Sequence, residues 1–308
     1  MQRVFVSKVR LARLVQFGVV GWWFAASAFA ARHVVDPSGA SGAFVSLQAA
    51  LDAAAPGDVV EVRGGEYAAI TISKSVTIVG SPRPTIRPPN PSEAAFHCSP
   101  AVTLAGSGVG VVTLANLDVG GVGAADWFSV FHAAIEGGGF TALHVNDCIV
   151  LGPDLEYATG IGVGAEAIRT SVPLLYLCKS QLAGGENSTD VGCASMPNGR
   201  CGVDAPNSIV VVLDSVVSGG LGSDHVACFD AFCGTSPPVQ PCPCAWLGGE
   251  GGDGIRAQRV FVANSIVRGG MGMTVTDVCG LTGTLWGTQP DGAPFTAGTL
   301  ITPLPNDL

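Results

Sequence analysis

Between Phe44 and Gly80 the apolar positions change their period once. Leu47, Ala50, Leu51 and Ala54 recur at the three- and four-residue spacing of one helix face. Val60 and Val62, and then Ile70 and Ile72, alternate as half-buried strands do. Pro56-Gly57 separates the two patterns and is expected to stop the helix. An amphipathic helix directly before the first strands has a physical task. It covers the open end of a β-stack, whose unpaired edge otherwise templates aggregation.

Further along, the pattern repeats. Leu114-Ala-Asn-Leu-Asp-Val-Gly-Gly121, Val145-Asn-Asp-Cys-Ile-Val-Leu-Gly152, Leu177-Cys-Lys-Ser-Gln-Leu-Ala-Gly184, Val212-Leu-Asp-Ser-Val-Val-Ser-Gly219 and Val262-Ala-Asn-Ser-Ile-Val-Arg-Gly269 share one layout. An apolar residue is followed two places on by Asn, Asp or Lys, then usually a small residue, an apolar residue and a Gly: strand, bend, strand, turn. The equivalent residues Asn116, Asp147, Lys179, Asp214 and Asn264 lie 31, 32, 35 and 50 residues apart. One such unit cannot bury its own apolar side, so the units must stack. The expectation is an all-β fold, a parallel β-helix (solenoid) with an N-terminal capping helix, whose coils share a core but carry loops of different size. The largest loop falls at residues 221–253.

The first thirty residues read as an export signal. Arg3, Lys8, Arg10 and Arg13 form a basic stretch, Leu14 to about Ala26 an apolar run shorter than a membrane span, and Ala28-Phe29-Ala30 a small-x-small cleavage site. Cleavage after Ala30 removes four positive charges and takes the formal net charge from −9 to −13. The expected destination is the secreted, periplasmic or cell-surface space. An acidic chain without a Lys/Arg cluster disfavours nucleic acid, and no second apolar run in the mature sequence reaches membrane-spanning length. With 47% hydrophobic and 13% charged residues, residues 31–308 can bury one sizeable core as a single domain. After Thr284 the repeat fades, and Trp286, Pro290, Phe295 and Pro303 suggest an irregular cover of the far end from about residue 281.

The string S-L-Q-A-A-L-D-A-A-A-P-G-D-V-V-E-V, followed by G-G-E-Y and I-T-I-S-K-S-V-T-I-V-G, resembles the opening of pectin-lyase-like β-helix proteins. The resemblance covers residues 33–88 closely and the repeats to Gly270 loosely. It implies a right-handed parallel β-helix, while activity does not follow from the fold. The esterase, polygalacturonase and pectate-lyase signatures of that superfamily are absent here, so no catalytic residue carries over.

One constellation emerges from the residues themselves. Counting twelve places back from the corner positions, Leu104, Ile135 and either Ala167 or Ile168 fall on a common inward place, Val203 and Ile255 join them after a loop adjustment of a few residues, and Ala105, Glu136, Arg169, Asp204 and Arg256 follow. Alternation points these last outward, about 4.8 Å apart from coil to coil. Glu136, Arg169, Asp204 and Arg256 then form an alternating charged ladder, with Glu166 and Asp253 expected to project from the same face. Such a row either lines a groove for a sugar polymer or is cross-strand charge pairing on an exposed sheet. Trp127 and Trp246 lie in loops, where they either stack on sugar rings or cover the core.

Ten Cys in an exported chain are expected to pair. Cys193 and Cys201 suggest a small clip, and Cys228, Cys233, Cys242 and Cys244 two bridges in the long loop. C-x4-C and C-x-C are not zinc-knuckle spacings, so no metal site is assigned. Cys148 and Cys178 are either partners or core residues. Two functions fit. One is a non-catalytic secreted protein that binds a polysaccharide or cell-surface glycan, or that builds a matrix, with no cofactor. The other is a divergent lyase on uronate polymers, with Arg169 or Arg256 as base, carboxylates such as Glu136 and Asp204, and calcium as its cation.

Overall fold

The computed structural model describes residues 30–40, 42–88, 99–120, 132–153, 164–185, 200–221 and 251–270. Strand β1 (Arg32–Val35) precedes helix α1 (Leu47–Ala53). A three-strand pattern then begins with β2 (Val59–Arg63), β3 (Glu66–Tyr67) and β4 (Ile70–Ile72). It recurs as β5 (Thr77–Ser81), β6 (Thr85–Ile86) and β7 (Val102–Ala105), and again as β8 (Val111–Ala115), β9 (Asp118–Gly120) and β10 (Ile135–Gly138). The next turns are β11 (Ala142–Asn146), β12 (Ile149–Leu151) and β13 (Ile168–Thr170), then β14 (Leu174–Cys178) and β15 (Gln181–Ala183). β16 (Val203–Leu213) and β18 (Ile255–Ala263) each fill two places of the pattern, followed by β17 (Val216–Ser218) and β19 (Ile266–Arg268).

Every one of these strands pairs in parallel with its counterpart on the neighbouring coil. β3, β6, β9, β12, β15, β17 and β19 form a seven-stranded sheet. The series β1, β2, β5, β8, β11, β14 forms a second face and the series β4, β7, β10, β13 a third. β16 and β18 run through the bend between them and unite the two faces in one 12-stranded sheet. The chain is therefore an all-β parallel solenoid. Residues 89–98, 121–131, 154–163, 186–199 and 222–250 each connect a strand of the seven-stranded sheet to the next strand of the third face.

Register explains the core. Val60, Ile78, Leu114, Val145, Leu177, Val212 and Val262 stack as one inward column. Ile70, Val102, Ile135, Ile168 and Val203 make a second, and Tyr67, Ile86, Val119, Val150, Leu182, Val217 and Val267 a third. All are buried, and each aliphatic side chain contributes roughly 1.5–3 kcal/mol. A slip of one residue would turn a whole column outward, which is why β-branched and Leu residues recur there.

The five aligned corner residues share one backbone state. Asn116, Asp147, Lys179, Asp214 and Asn264 have φ between 49° and 53°, the left-handed region, and turn the chain from the second face into the seven-stranded sheet. Asn and Asp tolerate that region better than other residues with a Cβ. After four of the five corners the next residue is small and buried, and these four build a second ladder. Ser180 Oγ accepts from the Cys148 N–H (3.1 Å), Ser215 Oγ from the Ser180 N–H (3.0 Å) and Ser265 Oγ from the Ser215 N–H (3.0 Å). Each hydroxyl also donates to the carbonyl two residues earlier in its own coil, at 2.6–2.9 Å. Cys148 repeats the geometry with sulfur, donating to the Asn146 carbonyl at 3.2 Å. Cys148 is thus a core residue, which resolves one alternative left open by the sequence.

Helix α1 buries Leu47, Ala50 and Leu51 against β1, β2 and β4. Ser46 caps its first turn by accepting from the Ala49 N–H. The helix ends at Ala53, ahead of the Pro56-Gly57 stop, because Pro56 keeps Ala55 out of helical geometry. Lys74 Nζ donates to the Leu51, Asp52 and Ala54 carbonyls (2.7–3.3 Å), satisfying the helix C-terminus. Gln48 pairs with the backbone of Thr71 on β4, the last strand of its face: Oε1 accepts from the Thr71 N–H (2.7 Å) and Nε2 donates to its carbonyl (3.2 Å). Among the described residues no helix is long and apolar enough to cross a membrane.

Candidate functional site

The third face carries the charged row. Glu136 lies opposite Arg169, Arg169 opposite Asp204 and Asp204 opposite Arg256, in unbroken parallel register. The sequence alignment placed Ala105 next in this row; the structure places Thr103 there, opposite Glu136, and Val102 rather than Leu104 opposite Ile135. Val102 and Leu104 are both buried, so a shift of two residues keeps every side chain on its face and alternation alone does not distinguish the registers.

Gly137, next after Glu136 within β10, has φ at 116°, and an added Cβ would stand 2.2 Å from the Leu104 carbonyl oxygen. Only glycine fits there, so the position directly after the carboxylate is closed to any side chain. Glu136 accepts from His132 Nδ1 (2.8 Å) and from the Ala133 N–H (3.2 Å), and lies 3.7 Å from Arg169 Nη1. His132 was not singled out in the sequence, although its spacing of four residues from Glu136 was visible.

Arg169 also binds Glu166 through Nη2. Glu166 does not project with the row: its side chain is 6% exposed, whereas that of Asp253, three residues before Arg256, is 62% exposed. Arg256 lies 3.8 Å from Asp204 and 3.6 Å from Asp253. Asp204 Oδ1 is buried and has no hydrogen-bond partner.

Cys201 lies at the place equivalent to Glu166 in the coil before and Asp253 in the coil after. It is a buried free thiol, pushed up to about 11 by burial, with Arg256 opposing and Asp253, Asp204 and Glu166 reinforcing the shift. Arg256 in turn is shifted above its ordinary value, first by Cys201 and then by Asp204 and Asp253, against partial burial. A guanidinium held protonated this way does not serve as a proton acceptor.

The second face carries a row that sequence reasoning missed. Thr113, His144, Tyr176, Val211 and Phe261 lie opposite one another on successive coils, and the His144 and Tyr176 rings are 5.5 Å apart. His144 stands between buried Leu143 and Val145 and points outward, but its partner comes from the next coil and is invisible without the register. Trp127, Trp246, Cys193, Cys228, Cys233, Cys242 and Cys244 lie outside the described residues, as does the cover from about 281. Cys178 is a free thiol. Among the described residues no three His, Cys, Asp or Glu side chains come together to hold a metal ion.

Fold and outer row together define a parallel β-solenoid with a charged strip along one face and the His144–Tyr176 ring pair on the next. No family model, curated protein or solved structure matches the chain.

Proposed function

We propose that this chain is an exported, right-handed parallel β-helix of the pectin-lyase-like kind that binds a polysaccharide or cell-surface glycan without cleaving it. The observation that carries the reading is the in-register row Glu136–Arg169–Asp204–Arg256. Acid and guanidinium alternate on rungs about 4.8 Å apart, offering acceptors and forked donors along a straight line, as an extended chain of hydroxyl-bearing rings requires. Trp127 and Trp246, outside the described residues, are the side chains whose rings would suit stacking on sugar faces. Export rests on the basic, apolar and small-x-small order of residues 1–30 and delivers the chain to the secreted, periplasmic or cell-surface space. Helix α1 serves as the N-terminal cap, with Gln48 standing in for the strand that β4 lacks on its open side.

Against the lyase reading stands the pairing of both candidate bases: Arg169 lies between Glu136 and Glu166, and Arg256 between Asp204 and Asp253. The test is a glycan array probed with the mature chain and with a Glu136→Gln/Asp204→Asn/Arg256→Gln variant. Binding by the former and its loss in the latter, with an unchanged circular dichroism spectrum, is expected. Equal binding by both, or none by either, overturns the reading. Incubation with uronate polymers and calcium is expected to leave ultraviolet absorbance flat; a rise from unsaturated product would restore the lyase.

A further inference from the structure

The backbone nitrogen of Ala31, the first residue after the small-x-small site, is already held by a carboxylate. Its N–H donates to Asp58 Oδ1 at 2.8 Å, while the Ala31 carbonyl accepts from the Val59 N–H at 2.9 Å. Asp58 is 6% exposed and sits where α1 leads into β2. Its other oxygen accepts from the Ala55 N–H (2.8 Å) and lies 2.9 Å from His33 Nε2. His33 bonds and backbone N–H groups hold this carboxyl below the usual range, so it is ionised. A buried carboxylate facing one ring nitrogen and two N–H groups is a receptor for positive charge.

We infer that export processing cuts between Ala30 and Ala31 and that the new α-ammonium of Ala31 forms an ion pair with Asp58, locking β1 onto the first coil. The inference rests on the export part of the proposed function and is independent of glycan binding. The step is an amide hydrolysis by a leader peptidase of the host. Water adds across the Ala30–Ala31 bond, Ala30 takes the carboxylate, and the Ala31 nitrogen takes a proton to become an ammonium. The position is selective: Ala26-Ser27-Ala28 is also small-x-small, but a cut after Ala28 would leave the charge two residues from Asp58. His33 on β1 is the titratable side chain in contact with the Asp58 carboxylate, and Arg32 beside it is engaged by Glu61.

Two measurements decide it. Mass spectrometry of the exported chain should give a first residue of Ala31; an uncut chain would overturn both this inference and the export reading, and a first residue of Phe29 would overturn this inference alone. The full chain from Ala31 to Leu308 is then compared with the same chain extended by Gly-Ser, which keeps an amide N–H at Ala31 but moves the charge away. The unextended chain should melt about 3 °C higher. That difference should vanish when both carry Asp58→Asn. Equal melting of the first two overturns the pairing while leaving export intact, and needs no Asp58 variant to fold. A difference that survives Asp58→Asn overturns Asp58 as the receptor.

Discussion

Lys179 occupies the same left-handed corner as two Asn and two Asp residues, with φ at 50°. A Cβ is disfavoured there, and Lys lacks the short polar side chain that lets Asn and Asp bond locally. Lys179→Asn is expected to raise stability by about 0.5–1 kcal/mol in urea unfolding, with no change in the slope of the transition. The residue after the corner gives a sharper contrast. Ser180→Ala removes the acceptor for the buried Cys148 N–H and should lower stability by about 1–3 kcal/mol, whereas Cys148→Ser continues the oxygen ladder and should leave it within about 1 kcal/mol. Cys148 also predicts a pH effect. Burial pushes its thiol up to about 11 from an ordinary value of 9.0. The folded state therefore holds a proton that the unfolded chain releases, so this contribution is full below about pH 9 and is lost as pH rises to about 11. Cys148→Ser should flatten that alkaline decline in a series of melting curves.

Single elements bear the edge problem. Gln48 occupies both free backbone groups of Thr71, and its replacement by Ala should lower stability by roughly 1 kcal/mol and raise the rate of aggregation seen by light scattering, since β4 would then offer an unpaired edge. On the charged row, Arg169→Ala would leave buried Glu166 without the guanidinium that binds it, and a loss of about 2 kcal/mol is the expected result in denaturant titrations. The helix was legible in the sequence because Leu47, Ala50 and Leu51 keep helical spacing ahead of Pro56, and the strands because Val60, Val62, Ile70 and Ile72 alternate. The face of β7 was legible too, but its register was not, since Val102 and Leu104 satisfy the same inward requirement. Glu166 escaped a correct reading for another reason. It sits in the approach to a strand, where period-two alternation has not yet begun and burial is decided by the neighbouring coil. Cys201, expected to clip to Cys193, is a free thiol instead.

For the molecule as a whole, the corner positions made the solenoid readable. A left-handed turn restricts residue type, so the repeat survived in Asn116, Asp147, Lys179, Asp214 and Asn264 despite spacings that range from 31 to 50 residues. The outer rows were half-readable: the charges of Glu136, Arg169, Asp204 and Arg256 stood out from apolar surroundings, while Tyr176 and Phe261 blended into the runs Leu174–Cys178 and Val260–Ala263, whose outward positions are as apolar as their inward ones. Those unequal spacings carry a further meaning. All five long intervals fall between a strand of the seven-stranded sheet and the next strand of the third face, so gaining or losing residues there leaves the rung-to-rung register unchanged, and doubling the length of a chain between fixed ends costs only about 0.6 kcal/mol. The body of this protein thus acts as a spine that fixes height and heading, and a foreign peptide spliced between Gly185 and Arg200 would leave that spine intact, because both of those flanking residues are already tied to neighbouring coils.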